Sequence, residues 1–319
     1  MSLSKKVVFW VSLFFIFLIL LSLVSLMVGP AFISFQNLWD PNFKNIVWDL
    51  RFRRILIALT IGGSLSLGGT LFQVLFKNPL VDPYILGISS ASAFGAALSI
   101  PLHLAYPWPP LLSFLMTLVT LTFILWLSKH YAFQDTFLLG GILLSFLFSS
   151  FVTLILTFSH PFEGAELLFW LMGTVSQPIP WGILLVIFFL SLFLWIFFST
   201  KSHALNLLNL GEEEAQTLGL PLLKTKRSFL FLASLLTALS VSLGGTIGFV
   251  GLVAPHMVRT FFGEDFRLTL PLSILGGGLL LIFSDTLIRL FSVQEIPIGV
   301  ITTLFGVPYF FFLFIRKKG

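Results

Sequence analysis

The acidic residues best placed to meet a partner lie in one polar stretch, residues 201–227, of an otherwise apolar chain. Three consecutive glutamates, 212–214, stand there between Gly211 and Gly219. Glycine permits a sharp turn, carboxylates favour the positive N-terminus of a helix, and glycine followed by proline ends one. The pattern therefore predicts a short acidic helix between the two glycines.

Two roles are open for this short helix. Ala215, Leu218 and Leu222 could form a small apolar face that a groove on a partner protein would hold. Alternatively, the helix could lie on the lipid surface with its acids merely solvated. Three adjacent acids are poorly suited to an anionic membrane surface, so the sequence favours a docking helix.

Catalysis by the chain itself has little support in the sequence. There is no cysteine, no GxxxxGK[ST] phosphate-binding loop, no HExxH motif and no serine nucleophile elbow. The five histidines are dispersed along the chain, at positions 103, 130, 160, 203 and 256. We therefore expect no catalytic residue, no bound metal and no cofactor held by this chain.

The composition predicts a membrane protein. Of 319 residues, 57% are hydrophobic and only 10% are charged, and the mean hydropathy is +1.04. A helix needs about 20 apolar residues to cross the hydrocarbon core. We therefore predict a single all-α polytopic domain over residues 1–319 with about ten spans. The runs lie near 7–28, 54–76, 84–101, 108–128, 138–158, 179–199, 228–246, 248–262, 268–289 and 297–315.

The basic residues orient these spans. Thirteen of the 18 lysines and arginines fall on the side of the two termini and of residues 201–227. The other five are Lys44, Arg51, Arg53, Arg54 and Arg289. By the positive-inside rule, both termini and the polar stretch are cytoplasmic, and the first apolar run is a retained span. The net charge of +5 reflects this orientation and not nucleic-acid binding.

A seven-residue pattern, S-x-SLGGT, occurs at 64–70 and again at 240–246. The predicted spans that carry the two copies run in opposite directions, as in an inverted repeat. Chance similarity and close packing through small residues are the alternatives.

Several short motifs occur in a fixed order from residue 51 to the C-terminus. They are Arg51-Phe-Arg-Arg54, Gly68-Gly-Thr-Leu-Phe-Gln73, Lys77-Asn-Pro-Leu-Val-Asp-Pro-Tyr-Ile-Leu-Gly87 with Ser89-Ser90-Ala91, Leu210-Gly-Glu-Glu-Glu-Ala215 with Leu218-Gly219, Gly248-Phe-Val-Gly-Leu-Val-Ala-Pro-His256 with Arg259, Asp285 with Arg289, Glu295-Ile-Pro-Ile-Gly299 and Gly306-Val-Pro308. As an ordered set, they resemble the FecCD-type permease subunits of ABC importers for iron–siderophore complexes, haem and cobalamin.

The resemblance implies a homodimer of ten-span subunits in the bacterial cytoplasmic (inner) membrane, with a translocation path along the dimer axis. It also implies two cytoplasmic ATPase subunits, which would bind ATP and magnesium, and a periplasmic or lipid-tethered binding protein. Ferric siderophores are the default substrate, with haem, cobalamin or an oxyanion open. An ion-coupled secondary transporter, or a membrane receptor or scaffold that docks a cytoplasmic partner, are the alternatives.

The resemblance also implies three sets of site residues. The coupling segment that contacts the ATPase is Leu210, Gly211, Glu212, Glu213, Glu214, Ala215, Leu218 and Gly219. The residues that would dock the binding protein are Arg51, Arg54 and Arg289. Alternatively, these arginines could extend to the membrane interface from span ends, or Arg289 could pair internally with Asp285, four residues earlier. The cytoplasmic gate is Asn78, Leu80, Gln134 and Asp135. The last two depart from the hydroxyl residues of relatives, and a purely structural turn is as good an interpretation of the gate.

Overall fold

The computed structural model describes residues 3–84, 87–127, 133–291 and 296–316, and all regular structure in these ranges is helical. The helices are α1 (Leu3–Met27), α2 (Arg53–Leu75), α3 (Ile88–Ala97), α4 (Trp108–Leu127), α5 (Phe133–Phe158), α6 (Pro161–Leu171), α7 (Trp181–Thr200), α8 (Ser202–Leu210), α9 (Glu212–Thr217), α10 (Leu222–Gly244), α11 (Val250–Phe262), α12 (Phe266–Phe291) and α13 (Ile298–Arg316). Two 3-10 turns, Phe35–Trp39 and Pro41–Phe43, and a π-helix, Asn45–Phe52, connect α1 to α2.

The prediction of an all-α polytopic protein with about ten spans is confirmed. All the described helices except α6, α8 and α9 overlap the predicted runs. Within the described residues, seven helical segments are long and apolar enough to cross a membrane. Helices α3 and α11 have only 10 and 13 residues. At about 1.5 Å per residue, neither can cross a core of about 30 Å, so each spans only part of it.

Helix α2 is the centre of the bundle, and nearly all of its residues are buried. It packs backbone to backbone against two other helices. A Cβ atom on Gly62 would overlap the carbonyl group of Gly277 in α12, and one on Gly69 would overlap that of Gly251 in α11. Glycine lets helix axes approach this closely, which suits a bundle that is stabilised by packing in lipid.

Contacts along α2 fix the direction of α10. Gly244, at the end of α10, lies against Ile61, and Ala233, three turns earlier, lies beside Gly68. Later residues of α2 therefore contact earlier residues of α10, so the two helices are antiparallel. The two S-x-SLGGT segments thus run in opposite directions, as the sequence predicts.

The short helix α3 follows α2, and the short helix α11 follows α10. The two short helices begin in a similar manner. Each begins after a left-handed residue, Gly87 (φ 71°) or Phe249 (φ 68°). A Cβ atom on Gly251, in the first turn of α11, would lie 2.7 Å from the carbonyl oxygen of Leu65, near the middle of α2. Each short helix therefore starts inside the bundle, after a chain segment that has turned back into it.

The bundle has two distinct ends. The coupling end is where α2 finishes at Leu75 and where α8 and α9 lie. The arginine end is opposite, where α2 begins at Arg53.

The glycine contacts generate a stability prediction. Gly69→Ala should cost about 3 kcal/mol or more, because the new methyl group overlaps backbone that cannot rotate away, and milder overpacking already costs about 1–3 kcal/mol. The free energy of unfolding in mixed micelles measures it. Gly182→Ala in α7 is the matched control, since no described neighbour lies within 4 Å of its added Cβ. An equal loss in both variants would contradict the close packing.

Candidate coupling and transport sites

The coupling segment is anchored to the bundle by one ion pair and one buried methyl group. Lys226, in the first turns of α10, has a nearly buried side chain whose Nζ lies 2.8 Å from Glu212 Oε1. Ala215 is fully buried. Gly219 (φ 85°) then ends α9, donating to the Gln216 carbonyl while the Leu220 N–H donates to that of Ala215. This pair of bonds is a Schellman cap, so the predicted helix and its end are confirmed.

The exposed face of the segment differs from the predicted one. Ala215 points into the protein and cannot share an outward apolar face with Leu218, so that part of the prediction is wrong. The exposed side chains include Leu210 (66% exposed), Leu218 (61% exposed), Glu213 and Glu214, with Gln216 and Thr217 beside them. The surface is therefore acidic and carries two projecting leucines.

A second attachment, for which the sequence gives no signal, joins α8 to the α11–α12 loop. Asn206 donates to Asp265 Oδ1 at 2.9 Å and accepts from the Phe266 N–H at 2.9 Å. Hydrogen bonds from the neighbouring Arg267 lower the pKa of Asp265 to about 2, so its carboxylate is charged at neutral pH. The loop between α11 and α12 is thus tied to α8, whose last residue, Leu210, begins the coupling segment.

At the arginine end, Arg51 is 5% exposed and caps the end of α1. Its guanidinium donates to the carbonyl oxygens of Leu26 (2.6 Å), Met27 (2.9 Å) and Ala31. The last carbonyls of a helix lack partners within the helix, so a buried guanidinium satisfies them.

Asp285 binds two further arginines. Its Oδ1 lies 2.8 Å from Arg54 Nη2, and its Oδ2 lies 3.0 Å from Arg289 Nε. Arg289 also donates to the carbonyls of Ser25 and Val28 at 2.9 and 2.8 Å. The group therefore joins α1, α2 and α12, and the internal pair of Arg289 with Asp285 is confirmed.

These contacts bear on the predicted docking residues. Arg51 and Arg289 are buried, and Arg54, at 19% side-chain exposure, is the most accessible of the three. Docking through them stays a prediction; what the geometry gives them is the attachment of helix ends. Arg53, the remaining arginine of the Arg51-Phe-Arg-Arg54 motif, lies over the Trp181 ring, with its guanidinium carbon 4.9 Å from the ring centroid.

The predicted gate is only partly described. Asn78 and Leu80 are exposed on the turn after α2, and Asn78 Oδ1 accepts from the Leu80 N–H at 2.9 Å. Gln134 and Asp135 lie in the first turn of α5, and their side chains lie outside the described part of the chain, as does Glu295 of the Glu295-Ile-Pro-Ile-Gly299 motif. The structure thus gives Asn78 a local turn-forming role, and the gate stays a prediction.

A pocket of about 640 Å³ opens at the arginine end. It is lined by the end of α3 and its loop, by α6 and by the segment before α7. Its polar side chains include Glu163, Glu166 and Gln177, and its aromatic wall includes Tyr106 and Trp170. A concave site with a few convergent polar groups is suited to a ligand. No pattern in the sequence predicts this pocket, because α6, with 11 residues, is too short to be recognised as a span.

The described chain is thus a polytopic helical bundle with an exposed acidic segment at one end and a pocket at the other. The model of the FecCD transport family matches residues 16–316, and the chain belongs to that family. It is therefore a multi-pass permease of the ABC importer class.

Two similar permeases and one similar solved structure align with almost the whole of this chain. The hemin transport permease HmuU of Yersinia pestis is 37% identical, covering 95% of this chain and 94% of its own. The vitamin B12 import permease BtuC of Vibrio vulnificus is 35% identical, with 94% and 92% coverage. A solved inward-facing metal-chelate type ABC transporter superposes with a TM-score of 0.86 at 33% identity, covering 98% of this chain and 99% of its own.

The buried carboxylate generates the second prediction. Asp285→Asn should cost about 3–5 kcal/mol, because breaking a buried pair leaves the arginines without their counter-charge. Asp49→Asn is the matched control. Its pair with Arg53 spans 3.6 Å with the carboxylate side chain 52% exposed, and such pairs contribute about 1 kcal/mol or less. Unfolding free energies that are equal in the two variants would argue against a structural role for Asp285.

Proposed function

We propose that this permease is driven by cytoplasmic ATPase subunits that bind the coupling segment, and that it imports an iron complex delivered by a binding protein. The acidic segment carries the proposal, because its attachment to the bundle leaves a defined face free. Leu210 and Leu218 project from that face beside Glu213 and Glu214. A groove with an apolar floor and a basic rim would complement it.

Rigid attachment makes this segment fit for transmitting force. Glu212 is held by Lys226, Ala215 is buried, and Asn206 joins α8 to the α11–α12 loop. A displacement of α9 would therefore be passed to α10, α11 and α12 instead of being absorbed by a flexible loop. ATP and magnesium would be bound by the partner, and this chain would remain a transport subunit without an ATPase site.

Ion-coupled secondary transport is less well supported. It calls for an ionisable side chain inside the membrane that is available to bind and release the coupling ion. Asp285 is engaged by two guanidinium groups. His256 packs against the rings of Phe310 and Tyr309, with centroids 5.6 and 6.2 Å away. A passive receptor or scaffold would need the coupling segment but not the pocket at the other end.

For the substrate, a ferric siderophore is the proposal, with haem, cobalamin or an oxyanion as the other candidates. The similar permeases are named for hemin, vitamin B12 and metal chelates. The 640 Å³ pocket at the arginine end is of a size that suits a bulky complex of this kind or the tip of its carrier. The binding protein would approach this end, where Arg51, Arg54 and Arg289 are the predicted docking residues.

A second copy of the chain would complete the path. Ser150, Thr153 and Thr157 lie on one face of α5 and are exposed in the single subunit. Each hydroxyl is bonded to a carbonyl of its own helix, at 2.8 to 2.9 Å. Pairing these faces across a two-fold axis would line a channel with small polar groups while the apolar residues beside them meet lipid or the partner.

The orientation follows from the charge bias. The coupling end carries most of the basic residues, so we place it and both termini in the cytoplasm of a bacterium, with the chain in the inner membrane. Lys129, Lys317 and Lys318, which contribute to the bias, lie outside the described residues.

The third prediction tests the coupling segment. Replacing Glu213, Glu214 and Leu218 together by alanine should abolish copurification of the ATPase and ATP-dependent uptake, because the exposed face loses both its charges and a projecting leucine. The permease should remain folded, since these side chains are exposed. Affinity copurification and size-exclusion profiles measure the two effects.

A control of identical composition is available at the other end. Glu163, Glu166 and Leu168 of α6 replaced by alanine remove the same residue types, and Leu168 is also exposed. This variant should retain the ATPase. Normal ATPase binding by the first variant, or its loss in the control, would refute the assignment.

A further inference from the structure

Two chain segments turn back into the bundle from opposite ends. The first connector, residues 77–84, follows α2 from the coupling end. The second connector, residues 245–249, follows α10 from the arginine end. Pro83 of the first connector packs against Gly251, where an added Cβ would lie 2.6 Å from the proline ring. The two connectors therefore meet inside the bundle, near the starts of the short helices.

A single hydroxyl group joins them. The Tyr84 hydroxyl accepts a hydrogen bond from the Ile247 N–H at 3.1 Å and donates one to the Ile247 carbonyl at 3.3 Å. The backbone of Tyr84 is in turn fixed by Asp82, whose Oδ1 accepts the Tyr84 N–H at 2.9 Å. The backbone N–H and the carbonyl of Ile247, in the second connector, are thus both hydrogen-bonded to the side chain of Tyr84, in the first.

The second connector also holds the wall of the pocket. The Thr174 N–H donates to the carbonyl of Gly244 at 2.8 Å, and Thr246 Oγ1 donates to that of Leu171. Thr174 lines the pocket, as does Trp170 beside Leu171. A displacement of the pocket wall would therefore pull on residues 244–247.

At its other side, the first connector is tied to the coupling end. Gln73 reaches the carbonyl oxygens of Val81 and Gly251 with long contacts of 3.5 and 3.4 Å, and its Oε1 accepts from Arg259 in α11. The exposed Leu80 immediately precedes Val81, on the turn that would form the cytoplasmic mouth.

We infer that Tyr84 is a positioning residue for transport: its hydroxyl transmits displacement of the pocket wall at the arginine end to the first connector at the coupling end. The role of Tyr84 in transport rests on the proposed function. The connection through its hydroxyl between the pocket wall and the first connector can be tested without any partner protein. Two hydrogen bonds to the backbone of one residue are strong enough to bias a conformational equilibrium and weak enough to exchange during a cycle.

Thiol labelling tests the link on the full chain in lipid nanodiscs. The sequence has no cysteine, so Leu80→Cys supplies a single reporter for a membrane-impermeant maleimide. Thr246→Val removes the hydroxyl that holds the pocket wall. It should change the labelling rate at position 80 by about two- to tenfold, the range that loss of one buried hydrogen bond produces in an equilibrium. Thr246→Ser, which keeps the hydroxyl, should leave the rate unchanged.

Tyr84→Phe should abolish that response, because the only atom removed is the connecting oxygen. Tyr309→Phe in α13 is the matched control and should preserve it. A response to Thr246→Val that persists in the Tyr84→Phe background, or no response in either background, overturns the inference. A fall in the unfolding temperature of Tyr84→Phe as large as that of Asp285→Asn would assign Tyr84 to stability alone and also overturn it.

The outcomes separate this inference from the proposed function. Loss of the labelling response in Tyr84→Phe, with ATPase copurification intact, supports both. If the labelling response behaves as expected while no ATPase copurifies with the unaltered permease, the connection through Tyr84 stands and the ABC coupling proposal fails.

Discussion

The architecture depends on how closely other backbones can approach α2. Gly62 meets Gly277 and Gly69 meets Gly251 with no room for a side chain. This contact places α12 along one side of α2 and sets α11 against its second half. It thereby decides where α11 begins, where Pro83 fits and how Gln73 reaches Arg259. In lipid, where apolar surface gives no net drive for helices to associate, such tight van der Waals contact and a few interhelical hydrogen bonds must supply the stability.

Features that depend on local chemistry could be predicted from the sequence. Apolar run length placed the spans, because hydrocarbon thickness sets helix length. The ends of α9 followed from Gly211 and Gly219, since a glycine at the C-terminus adopts the left-handed conformation that closes a helix. The opposite directions of the two S-x-SLGGT segments followed from the number of predicted membrane spans between them, because each span reverses the direction of the chain. The family, and with it the class of transporter, followed from the order of motifs more than from any one residue.

Features that depend on distant partners could not be predicted. Arg51 reads as an outward charge at a span end, yet its partners are carbonyls at the end of α1, more than 20 residues earlier. Ala215 reads as part of an outward face, but which side of a six-residue helix is buried is set by the bundle and not by its own pattern. Asn206 and Asp265 meet across 59 positions of sequence, and Tyr84 and Ile247 across 163. No periodicity encodes such separations.

The antiparallel course of α2 and α10 has an energetic consequence. One copy of the S-x-SLGGT pattern lies in α2 and the other at the end of α10, and each of these long helices is followed by a short one. If a change in which side is open exchanges contacts between these two helix pairs, similar contacts are lost and gained, and the two arrangements would differ little in free energy. Moving such a pair from 1:99 to 99:1 takes about 5.5 kcal/mol of differential binding. A near-degenerate protein of this kind can be driven in either direction by modest, alternating ligands and needs no large stored strain of its own.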